Sequence, residues 1–372
     1  MGTFKGLYDG TLMKGARAAV KDVMAAKKDE KILIITNPER EVREISMAVH
    51  DASLEVGAKP VLVFQKRKSQ FDTAEDAVIK AIESAPDAAI SISDEKLGKD
   101  SWGLKKPYKG RKRSYSHIFD LLYEEGRMRA WWSPGITRDM WRRTVPIDYS
   151  RLRYDASRVI SILSKSEEVA VTAPAGTCVT IDIKGRRHRP DDGDVSRPGK
   201  AANLPSGEVY SSPVVGKTNG VIAFDGSASL HEKEIVIKRP VECSVRDGFI
   251  VDMTGGKEAD LLHESIRMGE ERARRMGRSG ELSPKRAVSY AKNARHIGEL
   301  GIGLNRKARI VANVLEDEKV YGTCHFAIGS NFDGDADALI HLDCLVKRPT
   351  ITARDASGKE RQIMIDGKLV WD

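Results

Sequence analysis

Cysteine is scarce. The 372-residue chain has four, Cys178, Cys243, Cys324 and Cys344, and no two stand in CxxC spacing. This excludes a disulfide framework and a thiolate zinc site, and points to reduced, mostly buried thiols. Long apolar runs are missing too: no window approaches the ~18 residues that a membrane helix needs. The first residues, MGTFKGLYDGTLMKGARAAVK, lack the continuous apolar core of a secretory signal. The expectation is a cytoplasmic protein with no membrane partner. Neither GxGxxG nor GxxxxGK[ST] occurs, so there is no phosphate cradle, and GxSxG and HExxH are also absent. With 14 Pro and 32 Gly against 40% apolar and 31% charged residues, the chain is neither fibrous nor disordered and can bury a sizeable core.

What is present alternates. A helical pattern around Leu12 to Ala26 leads to KILIIT (Lys31 to Thr36), a helix from about Glu41 to Glu55, and PVLVFQ (Pro60 to Gln65). A further helix, Thr73 to Ser84, precedes AAISIS (Ala88 to Ser93). Short β-branched runs separated by helices are the signature of βαβ units, so residues 1–154 are expected to form a parallel α/β domain. From about Tyr154 short strands and Gly or Asn turns dominate: Glu168 to Thr172, Thr177 to Lys184, Val221 to Asp225, Glu234 to Ile237 and Gly248 to Met253. One long charged helix, Glu258 to Met276, interrupts them. Residues 155–372 therefore read as an α+β domain with a strongly bent sheet.

The formal charge is +8, concentrated in part in Lys105, Lys106, Lys109, Arg111, Lys112 and Arg113, and in Arg186, Arg187 and Arg189. Trp102, Tyr108 and Tyr115 interleave with the first cluster, a pattern that can bind single-stranded nucleic acid. In a mildly basic chain, a solvated lid or contact loop is the favoured reading, and nucleic acid is not the expected partner. Trp131, Trp132 and Trp141 fall in MRAWWSPGITRDMWRR (Met128 to Arg143). Such residues more often fill a core or interface than face a ligand.

The residues able to carry chemistry are histidines and carboxylates of the last third. IHLDCLV (Ile340 to Val346) reads as a strand, which puts His341 and Asp343 on one face. Sixteen residues before His341, His325 is embedded in the apolar run GTCHFAIG, where an imidazole costs desolvation unless paired or coordinated. Glu299 sits in the glycine-rich apolar stretch IGELGIGLN, where an acid calls for a cation or a proton. Glu208, in a turn before a short strand, and Glu316 and Glu318, in LEDEKV, are weaker candidates.

Taken in order, NLPSGEVYSSP (Asn203 to Pro213), IGELGIGLN (Ile297 to Asn305), EDEKVYGTCHFAIGSN (Glu316 to Asn331) and IHLD (Ile340 to Asp343) resemble the metallo-aminopeptidases typified by aminopeptidase T and aminopeptidase S. The same blocks recur in 2,5-dihydroxypyridine 5,6-dioxygenase, an iron enzyme of the same superfamily. The resemblance implies a metal-dependent aminopeptidase acting on peptides or small molecules. It also implies a homodimer, and two divalent ions (Zn²⁺, Co²⁺ or Mn²⁺) held by Glu208, Glu299, Glu318, His325, His341 and Asp343. Glu299 doubles as the catalytic group toward water. The aminopeptidases carry a tyrosine seven residues beyond the histidine matching His325, and this chain has Phe332. The lost hydroxyl calls for a substitute such as Tyr210 or Tyr321, which with Phe332 are the expected substrate contacts. The alternative is an Fe(II) ring-cleaving dioxygenase, with aromatic substrates stacking among Trp131, Trp132 and Trp141. That relative carries histidine where this chain has Glu299. The acidic run Asp333 to Asp337 is expected either to face substrate or to form a solvated turn.

Overall fold

The computed structural model describes residues 3–69, 72–111, 113–231 and 233–372; Lys112 of the basic run lies outside them. Two compact units divide the chain. The first comprises residues 1–153 and 191–206, and the second comprises 154–190 and 207–372.

In the first unit a five-stranded sheet runs in the order Ala201–Asn203, Arg129–Trp132, Ala88–Ile92, Lys31–Thr36 and Lys59–Phe64, and every pairing in it is parallel. The Lys31–Thr36 strand lies inside the sheet and is covered on both faces, so Ile32, Leu33, Ile34 and Ile35 are all buried. Helix Arg40–Glu55 joins it to Lys59–Phe64, turning Val42, Ile45, Val49 and Ala52 inward at helical spacing. Lys59–Phe64 is an edge strand, the place where Pro60 removes no ladder bond. Residues 191–206 bring the fifth strand back from beyond the start of the second unit, an excursion that composition alone does not reveal.

Trp131 and Trp141 are fully buried in this unit and stack on each other at 6.1 Å, and Trp132 packs edge-on against Phe119. Trp131 and Trp141 are core, the favoured reading for these residues, and offer no stacking site for an aromatic substrate. The basic stretch folds into a short helix, Ser101–Lys105, and a hairpin of Tyr108–Lys109 with Ser114–Tyr115. With Lys80 and Trp102 it lines an open groove of about 1160 Å³. Two of its charges are paired, Arg111 with Glu125 at 3.0 Å and Arg113 with Glu124 at 2.6 Å, and Lys80, outside the stretch, sits over the Trp102 ring.

The second unit holds two sheets where the sequence pattern suggested one bent sheet. An eight-stranded sheet contains Glu168–Thr172, Cys178–Asp182, Thr218–Phe224, Val241–Arg246 and Phe249–Thr254, together with the last three strands of the chain. A seven-stranded sheet runs Glu234–Val236, Ser227–Ser229, His341–Lys347, Thr323–Gly329, Ile297–Gly303, Glu208–Ser211 and His188–Asp191. Two helices pack together in this unit, Lys257–Arg278 and Pro284–Asn293, where one was expected. No helix among the described residues is long and apolar enough to cross a membrane.

Candidate metal centre

The seven-stranded sheet gathers the chemistry onto one face. Its antiparallel register sets Glu208 opposite Gly303, Tyr210 opposite Gly301, and Gly301 opposite His325. Further along, Glu299 faces Ala327, Ala327 faces Asp343, and Gly329 faces His341. Directly paired residues project to the same side, so these side chains share a face. Each reactive residue has a glycine or alanine beside it, and those small neighbours leave the room that imidazoles and carboxylates fill. Leu300, Ile302, Cys324, Phe326, Leu342 and Cys344 alternate onto the other face and are buried there. A β-carbon added at Gly301 would fall on Cε1 and Nε2 of His325. Gly207, just ahead of Glu208, has φ +143° and faces the Asn305 backbone so closely that no β-carbon fits.

The polar atoms converge. His325 Nε2 lies 3.2 Å from Glu299 Oε1 and 3.4 Å from Glu208 Oε2. His341 Nε2 lies 3.5 Å from Glu299 Oε2 and 3.4 Å from Asp343 Oδ1. His341 Nδ1 donates to the Ser330 carbonyl at 2.9 Å, which turns Nε2 toward the two carboxylates. Glu299 Oε2 and Asp343 Oδ1 are buried and make no well-formed hydrogen bond. Three groups bring their ligand atoms within 4.8 Å of one another: Glu208, Glu299 and His325; Glu299, His341 and Asp343; Glu318, His325 and Asp343. The structure thus brings together all six residues expected to ligate. Buried oxygens without donors beside a turned imidazole fit a divalent cation, since an uncompensated buried carboxylate is costly.

Electrostatics follow from this crowding. Burial opposes the charged form of His325, but its contacts with Glu299 and the nearby Glu208 and Asp343 outweigh it and push the imidazole up to about 9. His341 is raised well above its ordinary value against burial by Asp343 and Glu299. Burial likewise opposes ionisation of Asp343, yet His341 beside it holds the carboxyl down to about 2. Glu318 goes the other way: burial, reinforced by Glu208 and Asp343, pushes it up to about 8 against the pull of Lys319.

Sequence reasoning passed over Lys319. Its side chain is fully buried, with Nζ 2.5 Å from Glu208 Oε1 and 2.7 Å from Glu318 Oε1. The one available signal was a lysine closing the acidic run EDEK directly before a buried strand. Glu316 stands apart from the cluster, accepting the Arg309 amide at 2.6 Å. The Tyr321 hydroxyl bonds Asp372 and accepts the Leu369 amide, which commits it to the C-terminal tail. Tyr210 meets Phe332 edge-on at 5.2 Å, and Phe332, 54% exposed, meets the His341 ring at 5.1 Å. The acidic run beyond Phe332 is pinned: Asp333 pairs with Arg186 at 3.3 Å and Arg189 at 2.6 Å, and Asp335 with Arg186 at 2.8 Å. Part of the second basic cluster is thereby consumed within the unit.

Residues 137–370, more than half of the chain, match the family described as NicX: 2,5-dihydroxypyridine 5,6-dioxygenase. The chain belongs to the NicX family. Among solved structures, this NicX-family chain is similar to the 2,5-dihydroxypyridine dioxygenase of Pseudomonas putida KT2440, with TM-score 0.72 and 15% identity over 97% of both chains. It is also similar to AmpT from Thermus thermophilus, with TM-score 0.63 and 14% identity over 97% of this chain and 99% of that one. At these identities the likeness establishes a shared fold, and it agrees with the resemblance drawn from the sequence blocks. No curated protein sequence matches significantly. The family and the cluster together make this an enzyme fold with a candidate metal site.

Proposed function

We propose that the chain is a metal-dependent hydrolase that releases the N-terminal residue of a peptide. The observation that carries the reading is the composition of the site: each of the three candidate groups offers one imidazole and two carboxylates. Such mixed, acid-rich shells suit Zn²⁺, Mn²⁺ or Co²⁺. Glu299, His341 and Asp343 would hold the ion, which when bound supplies Lewis acidity and a lowered pKa for the attacking water. Glu299 would accept the proton of that water on the oxygen that the ion leaves free. Glu318, pushed up to about 8, carries a proton at neutral pH that it can give to the departing amine, and the proton that Glu299 took from water then restores it. The carboxylates around the site also attract the ammonium of a peptide N-terminus.

A second reading, ring cleavage of a dihydroxylated N-heteroaromatic with Fe(II), is favoured by the family match and by Phe332. That exposed ring, with Tyr210 and His341, makes an aromatic wall on which a planar substrate could stack. Against it stands Glu299, because an iron facial triad is two histidines and one carboxylate, and none of the three groups supplies two histidines.

The test is one preparation assayed both ways. Loaded with Zn²⁺, Mn²⁺ or Co²⁺, it is expected to release amino acids from dipeptides or aminoacyl anilides, and loaded with Fe²⁺ to consume no oxygen with 2,5-dihydroxypyridine. Silence toward peptides together with oxygen uptake would replace the first reading by the second.

A further inference from the structure

A buried lysine inside a cluster of would-be ligands is the feature that the hydrolytic reading leaves unused. Lys319 Nζ is completely enclosed and stands 2.5 Å from Glu208 Oε1 and 2.7 Å from Glu318 Oε1, the lengths of charge-assisted hydrogen bonds. Its backbone is fixed on both sides, the N–H donating to the Glu316 carbonyl at 3.0 Å and the carbonyl accepting from the Asn305 amide at 2.8 Å. The ammonium cannot leave without breaking that turn.

Of the three groups able to hold an ion, the one with Glu208 and the one with Glu318 each contain a carboxylate that Lys319 holds. Only Glu299, His341 and Asp343 form a group without one. We infer that the Lys319 ammonium occupies the place of a second cation, so that this chain takes a single divalent ion on Glu299, His341 and Asp343 while Glu208 belongs to the lysine. A second ion beside Glu208 would have to share that carboxylate with a positive group a few ångströms away, without water to screen the repulsion. His325 then serves as a positioning residue, bonded through Nε2 to Glu299 Oε1.

The inference rests on the proposed function only in requiring that a divalent ion binds. The metal-stripped full-length chain is titrated with Mn²⁺ or Zn²⁺ by calorimetry, and bound metal is counted by elemental analysis after gel filtration. The wild type is expected to bind one ion per chain, Lys319→Met two, and the double variant Lys319→Met with Glu208→Gln, which removes both charges of the pair, still one, with affinity changed less than about 3-fold. Two ions on the wild type, or no gain in Lys319→Met, would overturn the inference and leave the metal reading standing. No bound ion on the wild type would overturn both. If Lys319→Met fails to fold, the double variant decides alone, because it removes the pair without leaving either charge buried. A loss of affinity of 10-fold or more in that variant would make Glu208 a ligand and end the inference.

Discussion

Gly301 faces His325 across the register of two adjacent strands, and the imidazole occupies the space where a side chain at 301 would begin. His325 is completely buried and bonds Glu299, so a shift of its ring moves a carboxylate of the centre.

Gly301→Ala is therefore expected to lower cation affinity by at least ~10-fold through this displaced support. Overpacking at such a site also costs about 1–3 kcal/mol of stability. Calorimetric titration and thermal unfolding check the two effects, and an alanine variant with unchanged affinity would contradict the packing argument.

Proton binding couples both to folding and to cation binding. The pKa of His325 is raised on folding, so its stabilising charge is fully present below its unfolded value near 6.5 and is lost as pH rises through about 9. The metal-free chain should lose stability across that window. Cation affinity should climb as pH rises, because His341, whose pKa is also raised by Asp343 and Glu299, must shed its proton to coordinate. Titrations at one pH in two buffers of different ionisation enthalpy measure the protons released on binding, and a count of zero would refute the proposed coupling.

His296 behaves in the opposite sense. It is fully buried, lies tilted against Phe249 at 5.4 Å, has no well-formed hydrogen bond on either ring nitrogen, and is pushed down to about 4 chiefly by burial. Stability from keeping it neutral is present above pH ~6.5 and lost as pH falls toward 4, at most roughly 3 kcal/mol. His296→Leu should flatten this part of the acid limb in urea unfolding followed from pH 7 to pH 4. An unchanged slope would mean that the histidine is not the group that titrates.

Phe332 lies against the His341 ring where the resembling aminopeptidases carry a hydroxyl. Removing a donor to a developing oxyanion costs ~10²-fold to 10³-fold in related chemistry. Phe332→Tyr is accordingly expected to raise kcat for peptide hydrolysis, by up to ~10²-fold, with a smaller change in KM. A fall in kcat would indicate that the exposed ring serves an aromatic substrate instead.

Local pattern carried much of this into view before any coordinates. The period of two in IHLD places His341 and Asp343 on one side of a strand, and they stand together at 3.4 Å. KILIIT reads as a strand of a parallel sheet, and it lies inside that sheet. An acid in IGELGIGLN is out of place unless compensated, and Glu299 is met by two imidazoles. The same periodicities could not foresee that residues 191–206 return to the first unit, or that two sheets would form where one seemed sufficient.

By itself, the amino-acid sequence determined the alternation of strands and helices, the face each strand turns inward, and the residue types able to hold a cation. These depend on neighbours a few positions apart. Only tertiary structure decided that Lys319 meets Glu208 across 111 positions, that Gly301 is bare because an imidazole fills its place, and that Arg186 and Arg189 are spent on Asp333. Such pairings are set by sheet register and by the cost of burying an uncompensated charge, and both exist only once distant segments have come together.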